Sequence, residues 1–161
     1  SKSIYLNYLD NYNLYHVAIS KDLLKRLKSF DIDPYVFNLN LVNKNLFKPV
    51  TKLGNKIFIY NGVKKGNEEV YGKEFYESIV SELKNFEFIY SNELNIPNNK
   101  MPKIYEQCFI GLRLTKNDGN ANMVQEMEAM NIPVVHNLSD YGLKWKTKSD
   151  IISHIKKNKN F

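Results

Sequence analysis

From residue 56 onward, short apolar runs alternate with stretches of helical periodicity, and that alternation admits few architectures. Residues 56–60 are β-rich and stop at the turn dipeptide Asn61-Gly62. Between residues 72 and 85, Phe75, Ile79, Val80 and Leu83 recur at helical spacing and predict one buried stripe. Residues 87–90 read as the next strand, and Pro102 fits the first turn of a short helix running to Gln107. A third strand is predicted over 109–114, a helix over 123–130 and a fourth strand over 133–135. A closing helix over 150–157 has Ser149 as its expected cap. Short apolar strands separated by helices predict an α/β fold, a parallel sheet with helices on both faces.

The first fifty residues read differently. A strand over 14–19, a helix capped by Ser20 with Leu23, Leu24 and Leu27 on one face, and a strand over 35–39 make a βαβ-like unit. An irregular segment follows over 40–49. We therefore expect residues 1–50 to end one half of a larger architecture and residues 51–161 to form a ligand-binding domain. Ser1-Lys2-Ser3 is neither an initiator Met nor a signal, so the chain reads as a fragment.

At 161 residues the chain is long enough for a hydrophobic core, and 43% apolar with 25% charged residues is ordinary for a folded domain. The net charge of +6 suits a phosphate ligand, an anionic surface or a nucleic acid. The lysines are spread along the chain, however, and only Lys156-Lys157-Asn158-Lys159 clusters. No nucleic-acid module signature occurs, so no nucleic-acid partner is expected. One cysteine, Cys108, excludes an internal disulfide and a Cys-based zinc site. His16, His136 and His154 lack metal-ligand spacing, so no metal and no cofactor are expected. No run approaches a membrane span of about 18 apolar residues, and the expected location is the cytoplasm, with peripheral attachment to a membrane left open.

The segment Asn117-Asp118-Gly119-Asn120-Ala121-Asn122-Met123-Val124-Gln125-Glu126, running on to Ile132-Pro133-Val134-Val135, carries the chemistry. A polar turn leads into a helix with a carboxylate on its first turns, and an apolar strand follows. Helix N-terminal N–H groups receive phosphate, and an acid nearby accepts hydrogens from hydroxyls. A ligand with phosphate at one end and sugar hydroxyls at the other uses both. The turn Asn61-Gly62 is not the G-x-G-x-x-G fingerprint, which argues against a dinucleotide dehydrogenase. Tyr90 and Met101 are candidates to border a base.

Three segments together resemble the C-terminal half of GT-B glycosyltransferases, in the families related to sucrose synthase and glycogen synthase. The stretch from Val17-Ala18-Ile19-Ser20 to Phe47-Lys48-Pro49 is similar to the family's crossover, "vSe…L…gi" followed by "vipNGVD…F.P". Residues 56–66 are similar to the strand and glycine turn that open the donor domain. Residues 118–135 are similar to "EGFG…LEAMA.G.PVV", with the two acids eight residues apart at Asp118 and Glu126. The resemblance covers about residues 15–155. It implies a Rossmann-like donor domain that binds a nucleoside diphosphate sugar, a UDP- or GDP-sugar, for transfer to a hydroxyl acceptor, with retention and without metal.

By the same resemblance Glu126 takes the ribose hydroxyls and Asp118 lies near the donor sugar; these two are the candidate catalytic acids. Gly62, Gly119, Asn120, Ala121 and Asn122 are expected at the donor. The family's arginine after the opening glycine is Val63 here, and the first acid is one methylene shorter. Lys64, Lys65 or Arg113 are then the candidates for the diphosphate charge. Glu128 is expected to face solvent. The acceptor site would belong to a missing N-terminal domain or a partner subunit. Two rival readings are a non-catalytic nucleotide- or sugar-binding module and a structural domain associated with nucleic acid through its charge.

Overall fold

The computed structural model describes residues 15–37, 42–115, 118, 121–137 and 142–159, leaving aside the side chain of Asp22. The chain divides into two compact units, Ser1–Leu39 and Asn40–Phe161.

In the first unit, strand β1 (Val17–Ala18) pairs in parallel with β2 (Tyr35–Val36), and helix α1 (Lys21–Lys28) connects them. Ser20 caps α1, its hydroxyl accepting from the Leu23 N–H at 3.2 Å, as the sequence predicts. Both strands are shorter than expected. Position 14 and positions 38–39 of the predicted strands lie outside the described residues.

The larger unit is α/β. Its strands β3 (Lys56–Ile59), β4 (Glu87–Tyr90), β5 (Cys108–Leu112) and β6 (Val134–Val135) form one parallel sheet in the order β4-β3-β5-β6. Helices α2 (Lys73–Glu82), α3 (Met101–Tyr105), α4 (Asn122–Ala129) and α5 (Lys148–Lys159) cover it. On one face Ile57, Ile59, Ile110 and Leu112 pack with Tyr76 and Ile79 of α2 and with Ile151 and Ile155 of α5. On the other, Phe58 and Val134 pack with Tyr105 of α3 and with Met123, Val124 and Met127 of α4. The period-2 alternation of β3 thus feeds two cores, which is the expected layering. Phe47 belongs to the second core, and the Val50 N–H donates to the Met130 carbonyl at 3.0 Å, so residues 42–50 pack as part of this unit.

Two local expectations change. Strand β5 starts at Cys108, one residue early, because a bulge shifts its register against β3 between Lys56 and Ile57, and it ends at Leu112, two residues before the expected end. Helix α5 is capped by Thr147 rather than Ser149: the Asp150 N–H donates to Thr147 Oγ1 (3.2 Å), while Thr147 N–H donates to Asp150 Oδ2 (2.8 Å). That reciprocal box satisfies two donors, which Ser149, already inside the helix, does not. Among the described residues no helix is long and apolar enough to cross a membrane.

Candidate functional site

In the sheet order β4-β3-β5-β6 the chain runs from β3 outward to β4 and then crosses back past β3 to β5 and on to β6, so the direction of travel reverses between β3 and β5. In open α/β sheets such a switch leaves a crevice at the carboxyl ends of the strands. The buried polar residues lie at that edge: Asn61 follows β3, Arg113 and Thr115 follow β5, His136 follows β6, and Gln125 and Glu126 stand midway along the short α4. Polar groups taken out of water need compensating partners, and their concentration at one edge marks it as the chemical face.

A cleft of about 480 Å³ opens there. Tyr60 and Gly62 after β3, Ser91 and Leu94 after β4, and Arg113 and Asp118 after β5 line it. The far wall is the start of α4, with Ala121, Asn122, Met123 and Glu126. Helix α4 comes this close to the sheet because Gly111 lies beneath it. A Cβ on Gly111 would stand 2.7 Å from both Met123 Cε and Met127 Sδ.

Glu126 is the most confined acid of the site, 7% exposed. The Tyr105 hydroxyl donates to its Oε2 at 3.0 Å, and Asn98 Nδ2 donates to Oε1 at 3.4 Å. Burial pushes the Glu126 carboxyl above its ordinary pKa, and the two donors pull it back. Burial and the neighbouring carboxylate hold the Tyr105 phenol well above its usual value, so it keeps its proton and serves as a donor.

Across the cleft Arg113 Nε donates to Asp118 Oδ2 in an ion pair whose side chains are 9% and 11% exposed. The guanidinium also lies 4.0 Å from the centroid of the Tyr60 ring, which meets Tyr71 edge to face. Burial opposes the Arg113 charge, but Asp118 outweighs it and raises the pKa further. The Arg113 carbonyl meets His136 Nδ1 at 3.1 Å; a carbonyl only accepts, so Nδ1 carries the proton of the neutral ring. Burial lowers the His136 pKa and favours that neutral form.

The turn at Gly62 is built from a distance. Ser91 Oγ accepts from the Asn61 N–H at 3.0 Å and donates to the Gly62 carbonyl at 2.6 Å, while the Asn92 N–H donates to Asn61 Oδ1 at 3.0 Å. Gly62 has φ +108°, a conformation that suits glycine.

Of the residues singled out in the sequence, Gly62, Arg113, Asp118, Ala121, Asn122 and Glu126 meet in this cleft. Gly119 and Asn120 lie outside the described residues. Lys64 and Lys65 are exposed and do not line it, whereas Val63 does. Met101 borders the cleft; Tyr90 instead packs against Tyr76 in the core on the other face. Asn122 opens α4 without capping it, since the cap position falls on Ala121, which has no side-chain acceptor. Glu128 does not simply face solvent: it accepts from the Gly142 N–H at 2.6 Å and ties the loop after β6 to α4. Tyr105, Asn98 and Ser91 are further cleft residues that no local pattern in the sequence marks. Among the described residues no cluster of His, Cys, Asp and Glu is grouped to hold a metal.

The architecture is therefore an α/β domain with a parallel sheet and an acid-bearing cleft at its switch point. No family model, no curated protein and no solved structure matches the chain.

Proposed function

We propose that the larger unit is the donor-binding half of a GT-B glycosyltransferase, holding a nucleoside diphosphate sugar in the switch-point cleft. The observation that carries this reading is Glu126, a buried, donor-held carboxylate on the second turn of α4 in a cleft of ligand size. A carboxylate in that setting accepts from hydroxyls, and the helix start beside it favours negative charge. Ribose hydroxyls bind Glu126, and the diphosphate lies towards α4's first turn and the Gly62 turn. Arg113 adds the positive charge that offsets the leaving diphosphate. Asp118 orients Arg113 through their ion pair. The sugar passes to a hydroxyl acceptor held by another domain or subunit. The eight-residue spacing of Asp118 and Glu126 supports the same assignment.

Thermal unfolding of the chain against UDP, GDP, ADP and their sugar conjugates tests this. A ligand at about 100 times its dissociation constant stabilises by about 2.7 kcal/mol, a shift on the order of 5–10 °C in a domain of this size. The expected result is such a shift with one nucleoside diphosphate, abolished in Glu126→Ala. No shift with any of them contradicts the proposal.

One observation favours a second reading, a nucleotide-binding module without transfer. Among the described lining residues Arg113 is the one cation, and Asp118 already neutralises it. Little positive charge is then left for a leaving diphosphate. Binding of the sugar nucleotide with no release of nucleoside diphosphate, even with acceptor-domain partners present, would favour that module.

A further inference from the structure

Ionised Glu126 has about four lone-pair sites on two oxygens. Tyr105 occupies one on Oε2 and Asn98 approaches one on Oε1, so each oxygen keeps a site for a ligand hydroxyl. Two acceptors side by side, both fixed in direction, match a vicinal diol. Tyr105 is itself held: it is 2% exposed, its ring meets Phe58 of β3 edge-on at 5.2 Å, and Phe47 stands at 6.2 Å. The phenol therefore cannot swing away from Glu126 without disturbing the core. Tyr105 and Asn98 both line the cleft.

We propose that Tyr105 and Asn98 are positioning residues that fix the Glu126 carboxylate for the 2′,3′-diol of a ribonucleotide, so that the site rejects 2′-deoxyribonucleotides. This deepens the proposed function and rests on it. A free carboxylate follows whichever hydroxyl it finds; one held at both oxygens leaves an unfilled acceptor when a hydroxyl is missing. A hydrogen bond to a charged group contributes a factor of about 10–100 in affinity. Tyr105 from α3 and Asn98 from the turn before it hydrogen-bond Glu126, and the other titratable groups lining the cleft are Tyr60 after β3 and the Arg113–Asp118 pair after β5. The last two offset each other's charge.

The test is equilibrium binding of UDP, GDP and ADP and their 2′-deoxy forms to the full chain, its Tyr105→Phe and Asn98→Ala variants, and Glu126→Ala, between pH 5 and 8. The wild type is expected to prefer the ribose form about 10- to 100-fold. Tyr105→Phe keeps the ring packing and is expected to compress that ratio several-fold by weakening the ribose form alone. It also moves the acid limb of ribonucleotide binding to higher pH, because the donor that holds the carboxyl pKa down is gone. Asn98→Ala, at an exposed position, is expected to act in the same direction with less effect. An unchanged ratio and limb in both variants would overturn the positioning role, as would equal weakening of both ligand forms. If nucleotides bind and Glu126→Ala abolishes it while the ratio survives Tyr105→Phe, this inference alone falls. If no nucleotide binds, or Glu126→Ala binds normally, the proposed function falls and takes this inference with it.

Discussion

Glu126 is kept at a cost. Its folded-state pKa lies above the ordinary carboxylate value of 4.5, because burial outweighs the Tyr105 and Asn98 hydrogen bonds. Between those two values the folded chain holds a proton that the unfolded chain has released. Stability therefore falls as pH rises through that window, and the loss persists at neutral pH. Glu126→Gln removes the buried charge while keeping the shape of the side chain. We expect the variant to melt higher than the wild type at pH 8, with the gap closing towards pH 4; each kcal/mol corresponds to about 2–4 °C. Nucleotide stabilisation should be lost at the same time, the trade between stability and function found at binding sites. A variant that melts lower at every pH would show that Glu126 is structural. At this scale the sequence brought Glu126 and Asp118 together through their spacing within one segment, and both line the cleft. Tyr105, Asn98 and Ser91 act across 21, 28 and 30 residues, and no local pattern reports a hydrogen bond of that span.

Helix α4 delivers both the acid and the helix start to the cleft, and its seat on the sheet depends on Gly111. Alanine there presses only on the flexible ends of Met123 and Met127, which can shift. Gly111→Val adds a branched Cβ with two methyl groups under the helix, and overpacking of this kind costs about 1–3 kcal/mol. The expected outcome is a lower melting temperature with weakened nucleotide binding, while Gly111→Ala stays near the wild type. Thermal unfolding and a binding titration on the two variants check this. Elements of this kind were readable because their periodicity is local: β4 runs over the predicted residues, and α2 and α4 fall within one to three residues of expectation. The start of β5 was not, because the bulge beside Lys56 exists only in the pairing with β3. The cap falls on Thr147 rather than Ser149 because the Thr147–Asp150 pair completes a capping box, whose residues stand plainly in the sequence.

At the scale of the molecule, both hydrophobic cores and every described residue lining the cleft belong to Asn40–Phe161. A polypeptide of residues 40–161 should therefore unfold cooperatively and bind the same nucleotide with affinity close to that of the full chain. Circular dichroism melting with a calorimetric titration measures both; an unfolded product, or one that has lost the ligand, would show that residues 1–39 contribute to the fold or the site. The βαβ character of both units was legible in the alternation of apolar runs. The division at residue 39 follows from Phe47 and Val50 packing into the larger unit, a tertiary preference that an irregular segment does not announce.

A nucleotide in the switch-point cleft, with its ribose on Glu126, is what the proposed function requires. The most direct measurement is a crystal structure of the chain with the nucleoside diphosphate that stabilises it most. The expected result is ribose hydroxyls about 2.5–3.0 Å from the Glu126 carboxylate, with the diphosphate between the start of α4 and the Gly62 turn. A nucleotide bound elsewhere, or one whose ribose faces away from Glu126, would contradict it.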